Sequence, residues 1–200
     1  KPKLKDMFSL QDKIVVITGG GGLLGSKHAE AVAEAGGTPL LWDIDKKAIE
    51  KVVNTIQSKY EVASKGYYVD ITNKNSIISS FEQVMREFKT IDILINNAAN
   101  DPKVKQGESP SKFRFENYPL DIWAKDISVG LTGSLLCSQI IGGSMAEQQS
   151  GVILNIASDL GVIAPDQRLY RKEGIAEDEQ PVKSVSYSVV KHGLIGLTRY

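Results

Sequence analysis

The hydrophobic positions of this chain change their spacing regularly along its length. Short apolar runs, typical of strands, lie at residues 13–18, 38–43, 65–70, 91–96 and 151–156. Between and after these runs, apolar residues recur every three or four positions, which predicts helices over 23–35, after Asp45, after Thr72, over 120–145 and over 185–200. This alternation predicts an α/β fold, a doubly wound parallel sheet in three layers with helices on both faces.

Two irregular segments interrupt the alternation. Residues 101–119 are polar and contain three prolines, and residues 159–183 are rich in charge. Loops of this length are usually functional or disordered, and Phe113, Phe115 and Tyr118 predict partial order in the first. The last helix is still periodic at Tyr200, so we expect residues 1–200 to form a single domain that lacks its C-terminal strands.

A glycine-rich stretch, TGGGGLLG at residues 18–25, joins the first strand to the first helix. Such a turn lets backbone N–H groups approach a phosphate, and the positive end of the following helix points at the same anion. The stretch therefore predicts a nucleotide-binding turn through Gly19, Gly22 and Gly25. Leu24, in the first turn of the helix, is a further expected cofactor contact.

Asp43 ends the second strand, a little over twenty residues beyond the glycine turn. A carboxylate there can accept hydrogen bonds from an adenosine ribose. It would repel the 2′-phosphate of NADP by about 4 kcal/mol per unit charge at ~4 Å and an effective dielectric of 20. The sequence thus predicts NAD. The alternative role, a helix cap, is better suited to Asp45.

Further cofactor contacts are expected where the next two strands end. Asp70 could meet the adenine amino group while Ile71 packs on the ring, although a turn or cap role for Asp70 is equally open. The NNAA segment at residues 96–99 has small residues that leave room for a cofactor. Asn97 and Ala98 are the contacts we expect there, whereas Asn96 suits a structural role.

The candidate reactive group is Tyr187 in the segment YSVVK. Lys191 lies four residues later, so both side chains share one helix face. To act as a base at neutral pH, a tyrosine pKa of about 10 has to fall by about 3, worth roughly 4 kcal/mol. One nearby ammonium has an effect of that order. Ser158, at the end of the fifth strand, can hold the substrate oxygen.

Composition excludes several classes of function. Lysine plus arginine equals aspartate plus glutamate at 24 each, so the chain lacks the basic patch of a nucleic-acid-binding protein. One cysteine, Cys137, and two histidines at no ligand spacing predict a packed thiol and no metal site. No apolar run approaches the ~18 residues of a membrane span. We therefore expect a cytoplasmic protein with a small-molecule substrate.

Together, these motifs resemble the short-chain dehydrogenase/reductase family, whose fold is of the Rossmann type. The resemblance rests on the glycine turn, Asp43, Asp70, NNAA, LTG at residues 131–133, NIAS at 155–158 and YSVVK at 187–191. It implies hydride transfer between a nicotinamide and a carbonyl or alcohol. Tyr187 would be the acid/base, Lys191 would lower its pKa and hold the ribose, and Ser158 would orient the substrate. It also implies a homodimer or homotetramer formed by the last two long helices.

The chain departs from the family pattern at three points. Gly130 stands where members usually carry a catalytic asparagine, and Leu23 stands where classical members carry the middle glycine. The gap from Ser158 to Tyr187 is more than double that of classical members. The glycine spacing and the long gap resemble the extended branch, and the mixture is similar to dehydrogenases of bacterial surface-polysaccharide and sialic-acid-like sugar pathways.

We therefore predict an NAD-dependent oxidoreductase acting on a polar, sugar-derived substrate. In the second irregular segment, Arg168, Arg171 and Lys172 could meet a substrate phosphate or carboxylate, or they could form a solvated charged loop. Two other functions stay open. One is a nucleotide-sugar epimerase or dehydratase that retains NAD, and the other is a dinucleotide-binding member without catalysis.

Overall fold

The chain forms two compact units in a computed structural model that describes residues 7–100 and 110–200. The sheet unit contains residues 7–98 and 133–156. The helix-loop unit contains residues 99–100, 110–132 and 157–200. Each unit holds its own share of the candidate residues, so they are described in turn.

The five strands of the sheet unit are all parallel. They are β1 Ile14–Thr18, β2 Thr38–Asp43, β3 Lys65–Tyr68, β4 Ile93–Asn96 and β5 Val152–Asn155, in the spatial order β3-β2-β1-β4-β5. The predicted doubly wound sheet is thus confirmed. The strand order reverses beside β1, and in such sheets the ligand site lies at the carboxyl ends of the strands at this switch point.

Six α-helices lie in the described residues. They are α1 Leu23–Glu34, α2 Lys46–Tyr60, α3 Lys74–Phe88, α4 Leu120–Ile127, α5 Gly133–Glu147 and α6 Val185–Arg199. In the sheet unit, α1 packs beside α2, and α3 packs beside α5. Because parallel crossovers are right-handed, the two pairs cover opposite faces of the sheet. Strands β1 and β2 between them are almost fully buried, which explains their unbroken apolar runs.

The N-caps of α2 and α3 are an aspartate and an asparagine. Asp45 caps α2 as expected, since its side chain accepts a hydrogen bond from Ala48 N. The helix predicted to begin after Thr72 is capped by a residue other than Thr72. The Asp70 carboxylate instead accepts from Thr72 N and Thr72 Oγ1, and Asn73 caps α3 by accepting from two backbone N–H groups. Because of this local turn at Asp70, α3 starts one residue later than predicted.

The predicted long helix is continuous from Leu120 to Glu147, but a π-helical turn, Ser128–Thr132, separates α4 from α5. Such turns are frequent at functional sites. Gly130 in this turn and Gly133 at the start of α5 both lie close to neighbouring side chains. A Cβ on Gly130 would lie 2.5 Å from Val190 Cγ1, and one on Gly133 would lie 2.7 Å from Ile71 Cδ1.

This continuous helix also corrects the expectation that no segment approaches a membrane span. Among the described residues, Leu120–Glu147 is long and apolar enough to cross a membrane by length and composition alone. Core helices of soluble proteins pass the same test. Its α5 part contacts β4 and β5, and both Cys137 and Ile141 are fully buried, so packing on the sheet accounts for part of this apolar character, while Leu120 and Leu135 are exposed.

The helix-loop unit contains α4, the π-helical turn, α6 and short 3₁₀ turns. The turns Pro110–Phe113 and Phe115–Asn117 confirm the partial order predicted for the first irregular segment, of which residues 101–109 lie outside the described part. In the second segment, the side chain of Gln180 is buried and bonds to the backbone of Lys172 and Ile175. These hydrogen bonds hold the charged segment in place, although it contains no regular secondary structure longer than one 3₁₀ turn.

Candidate active site

The glycine turn has the backbone geometry of a phosphate-binding turn. Gly19 has a φ of +64°, which L side chains rarely adopt. A Cβ on Gly25 would lie 2.0 Å from Gly19 O, so the first turn of α1 can approach the loop only with glycine there. The N-cap residue of α1 is Gly22, which has no side chain to cap the first N–H groups. An anion can bind these groups.

Asp43 joins the end of β2 to this turn. Its Oδ2 accepts a hydrogen bond from Gly21 N at 3.0 Å, and its Oδ1 accepts one from Asp45 N at 3.0 Å. The carboxylate is half-buried and each oxygen keeps a second lone pair. Asp45, not Asp43, caps α2, so the alternative role proposed for Asp43 is taken by its neighbour. The predicted ribose contact remains chemically available.

Asp70 and Ile71 lie after β3 in a tight turn. Asp70 Oδ1 accepts from Thr72 N at 2.9 Å and from Thr72 Oγ1 at 2.7 Å, so Asp70 performs the turn role that we held as the alternative. Ile71 is only 6% exposed, and its side chain lies against Gly133. Their contacts with an adenine ring stay predictions.

The NNAA segment ties β4 to its neighbours. Asn97 N and Ala98 N both donate to Thr18 Oγ1 at 3.0 Å, and Asn97 Nδ2 donates to Thr18 O at 2.9 Å. Asn96 Nδ2 donates to Asn155 Oδ1 at 2.9 Å, which links β4 to β5 and fits the structural role predicted for it. The sheet unit therefore brings the end of β4 against the glycine turn. Leu24, in the first turn of α1, is 56% exposed.

Tyr187 and Lys191 lie on one face of α6 and line one small cavity. Lys191 Nζ is 5.6 Å from the centre of the Tyr187 ring, and the lysine is only 5% exposed. Burial lowers the pKa of Lys191, and the positive charge of Lys183 lowers it further. The cavity is lined by Ala99, Asn100, Asp126, Gly130, Tyr187, Val190 and Lys191.

Ser158 begins a 3₁₀ turn, Asp159–Gly161, that packs against α6. Its Oγ accepts from Leu160 N at 3.2 Å and donates to Asp159 Oδ1 at 2.8 Å, which holds the pKa of Asp159 below its ordinary value. A Cβ on Gly161 would lie 2.8 Å from Lys191 O, so the turn is seated on the helix at the level of Lys191. The Ser158 side chain is half-buried. The helix-loop unit thus places Tyr187 and Lys191 in one cavity and Ser158 on a neighbouring turn.

Lys183 is a residue beside the tyrosine that the sequence analysis missed. Its Nζ lies 3.7 Å from the centre of the Tyr187 ring, within the range of a cation–π contact. Its backbone N donates to Gln167 Oε1 at 2.9 Å, and its carbonyl accepts from Gln167 Nε2. In the sequence, Lys183 stands four residues before Tyr187, a spacing that would place both on one face of a helix. Lys183 precedes the start of α6, however, so it shares no helix face with the tyrosine.

A buried carboxylate, Asp126, was missed as well. It is 4% exposed and accepts hydrogen bonds from Asn100 Nδ2 at 2.6 Å, from Tyr118 Oη at 2.9 Å and from Ser186 Oγ. Burial raises the pKa of Tyr118, and the Asp126 carboxylate also raises it. These four residues, the Asp126 cluster, connect α4 to the residue that precedes Tyr187. Asn100, Tyr118 and Ser186 lie 26, 8 and 60 positions from Asp126, so no regular spacing in the sequence indicates this cluster.

The cations of the second irregular segment form the solvated charged loop that was held as one interpretation. Arg168 pairs with Asp166 at 2.7 Å, and Arg171 pairs with Glu177. The backbone N of Lys172 donates to Gln180 Oε1. Arg168 and Arg171 thus have partners within their own loop.

Cys137 takes the packed role predicted for it. Cys137 is fully buried, and burial raises the pKa of its thiol to about 12. His28 is half-buried on α1, while His192 is exposed on α6 with Nδ1 2.9 Å from Ser188 O. None of the three lines the cavity that holds Tyr187 and Lys191.

Comparison with known proteins identifies a family. A family model described as short chain dehydrogenase matches residues 13–170, which include the glycine turn, Asp43 and Ser158. The chain is 30% identical over 192 residues to the 3-oxoacyl-[acyl-carrier-protein] reductase FabG of Aquifex aeolicus, covering 96% of this chain and 67% of that protein. This second match extends the similarity to nearly the whole sequence.

Two further similarities concern enzymes with different cofactors. The chain is 33% identical over 162 residues to an NAD-dependent glycerol dehydrogenase of Listeria innocua, covering 81% of this chain and 59% of that protein. The crystal structure of an NADPH-dependent 3-quinuclidinone reductase from Rhodotorula rubra superposes with a TM-score of 0.79 at 26% identity, covering 100% of this chain and 68% of that one. The chain thus spans roughly two thirds or less of the lengths of these relatives.

Proposed function

Since the chain belongs to the short chain dehydrogenase family, we propose that the protein is an oxidoreductase that transfers a hydride between NAD and the CH–OH carbon of a small, polar, sugar-derived substrate. When bound, the nicotinamide supplies or takes up the hydride. The observation that carries the proposal is the pair formed by Tyr187 and the buried Lys191 in one cavity.

Each member of the catalytic set has a role that its surroundings support. In the oxidation direction, Tyr187 Oη takes the proton of the substrate hydroxyl as the C–O bond becomes a carbonyl, and in reduction it returns that proton. The Lys191 ammonium stabilises negative charge on Tyr187, and its burial strengthens the effect because the local dielectric is low. Ser158 Oγ orients the substrate oxygen, which requires it to exchange its present partner, Asp159.

The choice of NAD rests on Asp43. Its carboxylate is attached to the glycine turn by the hydrogen bond from Gly21 N, so negative charge lies beside the predicted phosphate-binding backbone. A ribose hydroxyl can donate to the remaining lone pairs, whereas a 2′-phosphate would be repelled. The glycine turn and the uncapped start of α1 fit the pyrophosphate.

A polar, sugar-derived substrate is supported by two kinds of similarity. The glycine spacing and the long interval from Ser158 to Tyr187 resemble the extended branch of the family, whose members act on nucleotide sugars. The relative from Listeria innocua is a dehydrogenase of glycerol, a polyol. We extend this chemistry to polyols and sugars as the class to be tested.

We also propose that the protein forms a homodimer or homotetramer through its long helices. Large apolar side chains are exposed along them, with Leu120 81% exposed on α4, Leu135 39% on α5 and Val189 38% on α6. Burial of such side chains between copies would stabilise the assembly. A molar mass of one chain by light scattering would contradict it.

One specific observation favours a second candidate, a member that binds the dinucleotide without catalysis. Gly130 stands in the place of the catalytic asparagine, and Val190 fills the space that a side chain there would need. An asparagine side chain introduced at Gly130 would therefore clash with Val190.

The two candidates separate in one experiment. NADH formation is followed at 340 nm over a panel of polyols, sugars and nucleotide sugars, with NAD binding measured by calorimetry on the same samples. We expect turnover in the wild-type protein, and Tyr187→Phe to abolish it while NAD affinity stays the same. NAD binding without turnover of any panel member would favour the non-catalytic role. Turnover without net release of NADH would indicate an epimerase or dehydratase.

A further inference from the structure

The first turn of α6 is held by a buried side chain of another helix. Within the described residues, the side chain of its N-cap residue, Ser184, makes no capping hydrogen bond, and the first turn contains no acidic residue. The carboxylate of Asp126 on α4 lies against this turn and accepts a hydrogen bond from Ser186 Oγ. Negative charge near the start of a helix is stabilising, because the helix dipole is positive there. Asp126 therefore supplies what the first turn of α6 lacks.

The other hydrogen bonds of the Asp126 cluster leave this carboxylate little freedom. Asn100 Nδ2 donates to Asp126 Oδ1 at 2.6 Å, and Tyr118 Oη donates to Asp126 Oδ2 at 2.9 Å. The hydroxyl oxygens of Tyr118 and Ser186 are also 2.7 Å apart. Ser186 is fully buried and Asp126 is 4% exposed, so water does not compete for these bonds. A buried polar network whose members are satisfied rigidifies its surroundings.

Two contacts, four residues apart on both sides, fix α6 against α4 and the π-helical turn. Asp126 meets Ser186. One turn later Gly130 meets Val190, whose Cγ1 lies 2.5 Å from the position of a Cβ on that glycine. The candidate catalytic tyrosine and lysine each directly follow one of the two contact residues of α6. Because consecutive residues of an α-helix are about 100° apart around its axis, a rotation that separates Ser186 from Asp126 also turns the tyrosine.

The Asp126 cluster also forms part of the wall of the cavity that Tyr187 and Lys191 line. Asn100 and Asp126 are both lining residues of this cavity. The contact that fixes the start of α6 thus lies beside the group whose direction depends on it. Displacement of a catalytic group by about 1 Å can lower a rate about a hundredfold, so a small rotation of α6 is sufficient to matter.

We propose that Asp126 is a positioning residue of the candidate active site. It acts through Ser186, whose hydrogen bond fixes the rotation of the first turn of α6 and hence the direction of the Tyr187 side chain. Asp126 itself exchanges no proton with the substrate. The inference rests on the proposed function only in assigning catalysis to Tyr187, and the direction of this side chain can be measured without turnover.

The test compares two serine-to-alanine variants on either side of Tyr187. Ser186→Ala removes the hydroxyl that bonds to Asp126, and Ser188→Ala is the matched control, because Ser188 Oγ is buried and has no hydrogen-bond partner among the described residues. The tyrosine rings are labelled with ¹³C, and the NMR signal of Tyr187 is identified by its absence from Tyr187→Phe. Tyr67 on β3 of the sheet unit is the internal reference.

We expect the Tyr187 signal to shift or broaden in Ser186→Ala and to stay close to its wild-type position in Ser188→Ala. Asp126→Ala should disturb it at least as much as Ser186→Ala. With a substrate that is turned over, Ser186→Ala should lower kcat at least about tenfold, while KM and the affinity for NAD stay close to their wild-type values. A role limited to stability would change the free energy of unfolding without changing the Tyr187 signal or kcat.

An unchanged Tyr187 signal in Ser186→Ala or in folded Asp126→Ala would overturn the proposal. An equal disturbance in Ser188→Ala, or a wild-type kcat in Ser186→Ala, would overturn it as well. Absence of turnover in the wild-type protein would count against the proposed function instead, and the Tyr187 signal would still decide whether Asp126 positions the tyrosine.

Discussion

The sheet unit and the helix-loop unit hold their candidate residues in different ways. In the sheet unit, Asp43 and Asn97 are fixed by hydrogen bonds to backbone groups of the glycine turn and of β1. In the helix-loop unit, the surroundings of Tyr187 are built from side chains, namely Lys183, Lys191 and the Asp126 cluster. The candidate cofactor-binding residues of the sheet unit thus depend on backbone geometry, and the candidate catalytic residues of the helix-loop unit depend on packing and charge.

This difference determines which substitutions each region tolerates. A backbone-built site fails when a side chain forces the backbone apart, and removal of a surface charge leaves it intact. A site built from side chains fails when a buried partner is lost or when a neighbouring charge changes.

The largest effect is expected for Gly25→Ala in the glycine turn. The new Cβ would lie 2.0 Å from Gly19 O, and backbone on both sides has to move. We expect a loss of about 3 kcal/mol in the free energy of unfolding, together with loss of cofactor binding. Gly143→Ala on α5 is the control, because nothing lies within 4 Å of its Cβ position. It should gain up to about 1 kcal/mol in denaturant unfolding.

In the helix-loop unit, Asp126→Ala is expected to cost about 2 kcal/mol in the free energy of unfolding. It leaves the donors of Asn100, Tyr118 and Ser186 without their buried acceptor. Asp126→Asn retains one oxygen and should cost about half as much. The control, Asp121→Asn, changes an exposed carboxylate in the first turn of α4 and should stay within about 0.5 kcal/mol. Equal stability of the Asp126 and Asp121 variants would show that the cluster does not support the unit.

Asp43→Asn tests the cofactor preference in the sheet unit. Without the negative charge, the repulsion of a 2′-phosphate disappears, and we expect the ratio of NADP to NAD affinity to rise at least about tenfold, or by at least about 1.4 kcal/mol. Asp45→Ala is the matched control, since it removes the cap of α2 and should cost about 1 kcal/mol in stability without changing this ratio. A ratio that is the same in Asp43→Asn and wild type would remove the argument for NAD.

The smallest effect concerns the charge of Lys191. Burial and the charge of Lys183 lower the pKa of Lys191 in the folded protein. Between this lowered pKa and the ordinary lysine pKa of about 10.4, the unfolded chain therefore binds more protons than the folded chain. The contribution of Lys191 to stability is therefore least favourable at neutral pH and improves as pH rises through this interval. We expect Lys183→Met to raise the pKa of Lys191, as measured by NMR of ¹⁵N-labelled lysine. An unchanged or lower pKa would show that Lys183 does not act on Lys191.

The sequence predicted the sheet unit more completely than the helix-loop unit. Strands β1, β2 and β4 are largely buried and have apolar runs, whereas β3 and β5 are partly exposed; all five strands were located within two residues at each end. Their ends carry Asp43 and Asn97, whose partners lie on the neighbouring glycine turn and strand. The one-residue error at the start of α3 came from the Asp70 side chain, which takes Thr72 into a local turn.

The helix-loop unit was predictable only where its contacts are local. Tyr187 and Lys191 share a helix face, and their spacing predicted the pair. Asp126 meets Ser186 across 60 residues, and Lys183 meets the Tyr187 ring from an extended segment, so no period in the sequence marks either contact. Gly130 of the π-helical turn lies against Val190, which is equally remote in sequence.

The central claim is that Tyr187 and Lys191 form a hydride-transfer site, and its most direct test follows the hydrogen itself. A substrate from the panel, deuterated at its carbinol carbon, is incubated with NAD and the protein, and the reduced cofactor is analysed by mass spectrometry. We predict one deuterium per cofactor reduced by the wild-type protein and none with Tyr187→Phe, which should still bind NAD. Deuterium lost to solvent, or transfer by Tyr187→Phe at the wild-type rate, would contradict the account.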